Sequence, residues 1–417
     1  MEISQKTNHI APNLCLMPWV HLYIDSQGLV KACCNANITF GNINEQPLDE
    51  IWNREAITRF RKQTRSGVED KRCLVCFKKE KSGKQSIRTE TLSRFSDYLP
   101  RVNEPGKVKS PVYLDIRYSN ICNLRCRTCW HGASSSWFEE ARMLNTHFQD
   151  KAIIEATPNN ASLVKSVLDW CTDLKEIYFA GGEPLLMVEH YQFLNELIAE
   201  GRTDIHLRYN TNLSFLRLKG NDVCGIWGHF PNITLSISID GIGQQAEYIR
   251  KGLDWEMFVE NFRTVKERCP HVRLEIAPTV SVFNVLGLGR LHRYFVDEGL
   301  VGIDDVYINV LHRPNYFNIQ ILPENLKAIA EGRIKSHILW LMDMDASDSV
   351  ISEFRSVVSY MNNADWKHQI PGFRKQTLLL DSMRKEDFAL VFPELVPLMG
   401  NNEKQRPAMN RSSDTAY

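Results

Sequence analysis

Three closely spaced cysteines suggest a metal cluster. Cys122, Cys126 and Cys129 form the pattern Cys-x3-Cys-x2-Cys shortly after a strand-like run. Thiolates at this spacing can bind three irons of one [4Fe–4S] cube and leave the fourth iron without a protein ligand. An open metal position is what metal catalysis requires. The loop is therefore a candidate catalytic cluster site, and a zinc site or incidental core thiols are the alternatives.

A second block of cysteines precedes this loop along the chain. It contains Cys15, Cys33, Cys34, Cys73 and Cys76. Four thiolates from this block could complete either a second cluster or a tetrahedral zinc site. Cys33 and Cys34 compete for one ligand position, because neighbouring side chains in a strand point to opposite faces.

Two groups of polar residues follow predicted strands. Gly181-Gly182-Glu183-Pro184 comes after residues 176–180, and Asn210 closes the strand that begins at residue 205. Glycines let a backbone approach a ligand closely, and exposed carbonyl oxygens there could accept hydrogen bonds from an ammonium group. Active sites of βα folds lie at these carboxyl ends of strands.

A third group lies on the predicted strand 233–239. Ser236, Ser238 and Asp240 share one face of it, because side chains alternate along a strand. Arg250 follows, and a guanidinium can pair a carboxylate through two hydrogen bonds. These residues are candidates for binding a ribose or a carboxylate.

The elements that must position these residues are strands that alternate with helices. The predicted strands are 113–118, 176–180, 205–209, 233–239, 272–280 and 305–310, and helical stretches include 187–200, 254–268 and 284–298. Repeated βα units at this spacing predict a parallel sheet, either open and doubly wound or closed as a barrel. The amino-terminal block reads as a small cysteine-rich α+β module with an amphipathic helix that carries Leu48, Ile51, Trp52, Ile57 and Phe60.

Five regions are predicted from these patterns. They are a module at 10–82, a linker at 83–110, a βα core at 111–315, a helical extension at 316–400 and a loose polar tail at 401–417. The linker prediction rests on a polar, basic composition with two prolines and a glycine.

Composition limits the classes of function. The 417 residues hold 50 Lys and Arg against 50 Asp and Glu, so no global basic field would gather nucleic acid or anionic lipid. No stretch approaches the roughly 18 apolar residues of a membrane span, and the first residues lack an apolar signal region. We therefore expect a cytoplasmic protein with a peptide or small-molecule substrate and no membrane partner. A basic strip over residues 59–72 keeps an RNA substrate as an alternative.

Three features together resemble motifs of the radical S-adenosylmethionine (SAM) superfamily. They are the three-cysteine loop, the turn Gly181-Gly182-Glu183-Pro184, and the Ser-x-Asp-Gly motif with the Ile-Arg that follows it. The resemblance implies a partial (β/α)6 TIM-like barrel and a [4Fe–4S] cluster on Cys122, Cys126 and Cys129, whose open iron SAM chelates. It implies reductive cleavage of SAM to a 5′-deoxyadenosyl radical, with flavodoxin or ferredoxin as electron donor. The implied SAM-binding residues are Gly181, Gly182, Glu183, Pro184, Asn210, Ser236, Ser238 and Arg250. The sequence departs from the family at Thr128, where an aromatic residue usually stands, and the aromatic here is Trp130.

The amino-terminal module resembles the SPASM or shortened twitch module of the same superfamily. This implies a second, auxiliary [4Fe–4S] cluster with Cys15, Cys33, Cys73 and Cys76 as ligands, Cys33 being favoured over Cys34 by its spacing from Gly28. The module usually follows the barrel, whereas here it precedes it. Enzymes with such modules often modify peptides or proteins, which is the expected substrate class; a small molecule such as a sugar, or RNA, is the alternative. A non-catalytic zinc or redox module is the alternative outside enzymes.

Overall fold

One eight-stranded sheet organises the fold. The computed structural model describes residues 11–81, 85–103 and 108–400. The first strands are β1 (His21–Ile24), β2 (Leu29–Lys31), β3 (Thr39–Asn42), β4 (Tyr113–Ile116), β5 (Arg125–Cys126), β6 (Glu176–Phe179) and β7 (His206–Thr211). The later strands are β8 (Arg217–Leu218), β9 (Asn221–Asp222), β10 (Ile233–Ile237), β11 (Arg250–Lys251), β12 (Arg273–Ile276), β13 (Thr279–Val280) and β14 (Asn309–Val310). The strand order in the large sheet is β12-β10-β7-β6-β4-β1-β2-β3.

Helices flank this sheet and form the carboxyl-terminal region. The first eight are α1 (Met17–Val20), α2 (Leu48–Asn53), α3 (Glu55–Arg65), α4 (Leu74–Lys81), α5 (Ile87–Arg94), α6 (Phe138–Met143), α7 (Asn160–Trp170) and α8 (Val188–Ala199). The others are α9 (Val223–Trp227), α10 (Gln244–Ile249), α11 (Trp255–Arg268), α12 (Leu288–Asp297), α13 (Glu324–Asp343), α14 (Asp348–Asn362), α15 (Ile370–Arg384) and α16 (Phe388–Val391).

The βα core is a parallel sheet that curves as a partial barrel. Strands β4, β6, β7, β10 and β12 pair in parallel, and a parallel bridge from Ile276 to Val306 adds a sixth position. Alternation gives each strand one apolar face, which packs beneath the helices, and one polar face, which lines the interior space that we call the lumen. The predicted α/β fold class is confirmed.

The amino-terminal module continues the same sheet. Strand β1 pairs in parallel with β4 over its whole length, so Tyr23 lies opposite Asp115. Strands β2 and β3 extend the sheet in antiparallel fashion. Sequence periodicity did not predict this pairing, because the two strands are far apart along the chain.

Two segments differ from their predictions. The single amphipathic helix is two helices, α2 and α3, because Arg54 takes an extended conformation with ψ 156° between them. The segment 83–110, predicted to be a linker, contains α5, which begins with a capping box formed by Ser86 and Thr89. Its next residue, Phe95, stacks on Tyr113 of β4 with ring centroids 5.6 Å apart. The segment therefore closes the amino-terminal end of the lumen.

Helices dominate the region after Pro323, as predicted. The predicted tail at 401–417 lies outside the described residues. Within the ranges that the structure describes, no helix combines the length and the apolar character needed to cross a bilayer.

Trp52 provides a test of whether module and core unfold together. It is fully buried, donates from Nε1 to the Val108 carbonyl oxygen at 3.1 Å and meets Trp170 of α7 edge-on at 6.0 Å. We expect Trp52→Ala to lower the free energy of unfolding by about 3–5 kcal/mol. Because the two parts share one sheet, urea unfolding followed by circular dichroism should shift as one transition. The control Trp130→Ala, at a half-exposed site, should change stability by less than about 1 kcal/mol. Two separate transitions, only one of them shifted, would contradict a shared sheet.

Candidate functional site

The three-cysteine loop lies at the carboxyl end of β4, and its middle cysteine is held by a short ladder. Cys126 in β5 pairs with Arg250 in β11, and the Cys129 amide donates to the Cys126 carbonyl oxygen at 2.9 Å. Burial, and to a smaller extent the nearby Cys126, raises the pKa of Cys129 to about 12. The thiols therefore stay protonated until a metal displaces the protons, as is usual for thiolate ligands.

Arg250 is placed against this loop by a buried ion pair. Its Nε lies 2.9 Å from Oδ2 of Asp240, and its Nη1 lies 4.0 Å from the Cys126 sulfur. The second oxygen of Asp240 accepts from the Thr279 amide at 2.7 Å. Burial lowers the pKa of Arg250, but Asp240 and then Cys126 raise it by more, so the guanidinium stays charged. Asp240 thus orients a cation toward the cluster loop, and the role of Arg250 in binding SAM stays a prediction.

The glycines at 181 and 182 lie directly beneath the same loop. Gly182 has φ +53°, and a Cβ there would lie 2.3 Å from the Ile121 carbonyl oxygen. That oxygen accepts from the Glu183 amide at 2.7 Å. The turn can therefore approach the residue before Cys122 only because Gly182 has no side chain.

Glu183 fastens the neighbouring strand to this turn. Its Oε1 accepts from the Thr211 hydroxyl at 2.7 Å, and its Oε2 accepts from the Asn212 amide at 2.6 Å. Burial raises the pKa of Glu183 to about 7, against these hydrogen bonds, which lower it. The carboxyl group thus joins the ends of β6 and β7 as a single rigid edge.

Asn212 is a further site residue, in the same turn as Asn210, which alone of the two was predicted to bind SAM. Its Nδ2 donates to Oδ1 of Asn123 at 3.0 Å and lies 3.9 Å from the Cys122 sulfur. The available signal was its position two residues after Asn210, at the carboxyl end of β7. Its amide can donate to a sulfur of the cluster site.

The other predicted SAM-binding residues lie on or near the polar edge of the same sheet. Asn210 and Ser238 are half-buried, and the Ser238 amide donates to the Thr211 carbonyl oxygen at 2.8 Å. Ser236 donates its hydroxyl to Glu275 of β12. Pro184 begins a short buried 3₁₀ helix. Their contacts with SAM stay predictions.

Trp130, the aromatic residue that follows Cys129, is 52% exposed. It meets Phe148 edge-on at 5.1 Å. It therefore lies at the surface beside the cluster loop.

The carboxyl-terminal extension contacts the three-cysteine loop through buried charged side chains. Arg127, within the loop, is fully buried, and its Nη2 lies 2.6 Å from both Asp381 and Glu386. Its guanidinium also stacks on Tyr248 at 3.7 Å. Removing one member of such a buried pair leaves an uncompensated charge, so these contacts fix the loop firmly. The motifs of the sequence predict no function for this extension.

A second ion pair repeats this arrangement. Arg384 of α15 is buried and lies 2.6 Å from Glu140 of α6, which also pairs with Arg125 at 2.9 Å. The cluster loop and the helix that follows it are thus both anchored to the extension.

The module's cysteines line a single cavity. Cys15, Cys33, Cys73 and Cys76 face it together with Arg88, whose Nη1 donates to the Leu14 carbonyl oxygen at 2.8 Å. Burial raises the pKa of Cys15 to about 12 and that of Cys73 to about 11. In the part of the chain that the structure describes, no three His, Cys, Asp or Glu side chains converge tightly enough to hold a single ion. Four thiols around one cavity are the donor set that a [4Fe–4S] cluster takes.

Cys34 stands apart from this cavity. It is exposed and is not among the lining residues. The geometry therefore supports Cys33 as the ligand of the pair.

Three arginines of the basic strip at residues 59–72 contact other side chains or backbone of the protein. Arg61 stacks on Trp52 at 4.5 Å and donates to the Pro18 carbonyl oxygen. Arg59 pairs with Glu55 and Arg72 with Asp70, both at 2.6 Å. This leaves a weak basis for an RNA-binding surface.

Sequence comparison agrees with this geometry. Residues 116–291 match the radical SAM superfamily, and residues 15–77 match SPASM, an iron–sulfur cluster-binding domain. The chain therefore contains a radical SAM domain and, before it, a SPASM domain. Its radical SAM domain is that of an enzyme with a [4Fe–4S] cluster and SAM as cofactors, and its SPASM domain binds iron–sulfur. A comparison with curated proteins gives no significant match.

Several solved structures show distant likeness to this radical SAM protein. Native anSMEcpe with bound AdoMet is 17% identical at a TM-score of 0.39, with 56% of this chain and 60% of that chain covered. Streptococcus suis SuiB bound to precursor peptide SuiA is 15% identical at a TM-score of 0.40, with 78% and 69% covered. The chain thus spans less than two thirds of anSMEcpe, and these scores are too low to assign a substrate.

Gly182 should be intolerant of a side chain in this radical SAM core. We expect Gly182→Ala to destabilise the protein by more than the roughly 1–2 kcal/mol that a positive φ costs, because its Cβ would also strike the Ile121 oxygen. The matched control is Gly299→Ala, with φ +63° and no heavy atom within 4 Å of the added Cβ. Urea unfolding measures the stability, and equilibrium dialysis of reconstituted protein measures SAM affinity. Only Gly182→Ala should weaken SAM binding, roughly tenfold or more; equal affinities would remove this turn from the SAM site.

The neighbouring cysteines allow a matched test of the SPASM site. Anaerobically reconstituted protein should hold about eight irons, as two [4Fe–4S] clusters. Cys33→Ala should lower the iron count toward about four, whereas Cys34→Ala should keep about eight. Iron and sulfide analysis checks both variants. A loss of iron in Cys34→Ala alone would reverse the assignment.

Proposed function

We propose that this enzyme removes a hydrogen atom from a peptide or protein substrate that lies in the lumen between its two cysteine sites. When bound, the cluster at Cys122, Cys126 and Cys129 together with SAM would supply a 5′-deoxyadenosyl radical, which takes hydrogen from carbon. The observation that carries the proposal is the shared sheet. Because β1 of the SPASM module pairs with β4, which leads into the three-cysteine loop, the two domains share one continuous sheet.

The chain's own residues would hold and orient the reactants. Arg250 lies beside Cys126 and Asn212 beside Cys122, so both can donate toward cluster sulfur. Such hydrogen bonds tune a cluster's reduction potential. The Arg127 contacts with Asp381 and Glu386 keep the loop in place and exclude water behind it.

The lumen supports a polar, extended substrate. Its wall carries Asp115, Tyr178 and Arg208 in register on three adjacent strands, with Asn210 one step further toward the carboxyl end. Backbone amides and polar side chains of a peptide could hydrogen-bond along such a wall, whereas a small apolar ligand would leave these groups unpaired. The SPASM module is the second support, since its resemblance implies peptide modification.

The auxiliary cluster at Cys15, Cys33, Cys73 and Cys76 would take an electron from the substrate radical. The electron for SAM cleavage would come from a flavodoxin or ferredoxin. The cysteines of the cavity come from segments of the chain that precede β4, whereas the three-cysteine loop follows β4, which permits separate loss of either site.

Radical chemistry can be tested directly. With dithionite, the reconstituted protein should convert SAM to 5′-deoxyadenosine and methionine, and a perdeuterated peptide mixture should transfer deuterium to the 5′-deoxyadenosine. Mass spectrometry measures that transfer. S-adenosylhomocysteine as the sole product would contradict radical cleavage. Transfer from deuterated sugar or RNA but not from peptides would overturn the substrate class.

A double variant separates the two cysteine sites. Cys73→Ala with Cys76→Ala should abolish deuterium transfer from peptides while leaving slow SAM cleavage and about four irons. Losing a cluster also removes folding free energy from a small module, so a circular dichroism spectrum must match the parent. Peptide modification at the parent rate by the folded variant would make the auxiliary site structural.

A further inference from the structure

Arg117 lies on the polar face of the sheet, where strand β4 of the core meets strand β1 of the SPASM module. It follows β4, and its guanidinium stacks on Tyr23 of β1 at 5.0 Å. The side chain therefore spans the seam at which the module's sheet meets the core.

Gly181 makes room for this side chain. A Cβ at Gly181 would lie 2.7 Å from Cδ of Arg117 and 3.1 Å from its Cβ. Arg117 thus passes directly over the SAM-binding turn as it extends toward Tyr23. Of the two glycines, Gly182 admits the cluster loop and Gly181 admits Arg117.

The guanidinium of Arg117 has N–H donors that are not fully used in hydrogen bonds. Its one carboxylate partner is Asp115, at 3.4 Å from Nε and 3.5 Å from Nη2, both longer than the usual charged hydrogen bond. Among the described residues, none accepts a hydrogen bond from Nη1. The side chain is 24% exposed, whereas that of Asp115 is 2% exposed. The free edge of the guanidinium therefore faces the lumen.

Two other arginines of the lumen lie near two carboxylates each, at the opposite end of the strands. Arg94 lies 2.8 Å from Glu90 and 3.1 Å from Glu176, and Arg208 lies 3.5 Å from each of the same two carboxylates. These charges balance one another at the amino-terminal end of the strands. Arg117 is the cation near the reactive end with an underused donor edge.

We propose that Arg117 binds a carboxylate of the substrate, either an Asp or Glu side chain or a free carboxyl terminus. This deepens the proposed function and rests on it for the peptide nature of the substrate. A guanidinium pairs a planar carboxylate through two parallel hydrogen bonds. A phosphate dianion fits less well, because the buried carboxylate of Asp115 stands beside the site and repels the higher charge.

The test measures binding of small probes to the full chain loaded with clusters and SAM. N-acetylglutamic acid amide carries a side-chain carboxylate, and N-acetylglycine carries a terminal carboxylate. N-acetylglutamine amide is the neutral control for the first probe. Methyl phosphate tests binding of a phosphate. Saturation-transfer NMR gives their dissociation constants. One or both carboxylate probes should bind more tightly than the neutral amide and methyl phosphate.

Two variants should move affinity in opposite directions. Arg117→Gln should weaken the carboxylate probes roughly tenfold to a hundredfold and leave the neutral probe unchanged. Asp115→Asn, which keeps the side chain's shape, should strengthen the carboxylate probes because it removes the competing anion. If the Arg117–Asp115 pair is purely structural, affinity for the carboxylate probes should fall in both variants or in neither. If Arg117→Gln does not fold, tighter binding by Asp115→Asn supports the site, and unchanged or weaker binding overturns it.

A parallel measurement separates this subsite from SAM. The SAM dissociation constant should be the same in Arg117→Gln and in the parent protein. A weaker SAM affinity would make Arg117 a SAM ligand and overturn the proposal. Probe binding needs no turnover, so it can be measured even if no peptide is modified. If the carboxylate probes bind but peptides are not modified, the peptide substrate class is rejected and the carboxylate site is kept.

Discussion

The parallel pairing of β1 with β4 is the constraint on which the rest of the structure depends. It joins Tyr23 to Asp115 in register and makes the SPASM module an extension of the core sheet. Parallel neighbours need a long crossover between them. The intervening segment uses that length to build α2 to α5, and α5 then closes the amino-terminal end of the lumen. An order in which the module precedes the core is therefore compatible with one continuous sheet shared by both domains.

Buried arginines around the cluster loop are the second organising feature, and each is paired with a carboxylate. Arg127 and Arg384 join the carboxyl-terminal extension to the cluster loop and its following helix, and Arg250 is fixed by Asp240. Buried pairs give less net stability than their number suggests, because desolvation offsets the Coulomb attraction. Their value here is geometric, since a loop that carries a cluster must keep its thiols in one arrangement.

Sequence patterns were sufficient where function depends on neighbours along the chain. The three cysteines share one loop, and Gly181 to Glu183 share one turn, so their spacing already limited what they could do. The strands and helices of the core followed from periodicity, because alternate burial along a strand leaves a direct trace in the sequence. The break at Arg54 was not predicted, since the apolar pattern runs across it at nearly helical spacing.

The sequence by itself determined the cofactor chemistry, the βα core and the cysteine sets, because these depend on residue type and short spacing. The tertiary structure alone decided that Cys33 rather than Cys34 faces the cavity, that Asn212 lies beside Cys122, and that Arg127 reaches Asp381 across 254 positions of the chain. Contacts of that range are set by how buried faces pack and by which charges must be paired on burial. Neither the packing of buried faces nor the pairing of buried charges can be read from the spacing of residues along the chain. Both are decided only in the folded protein.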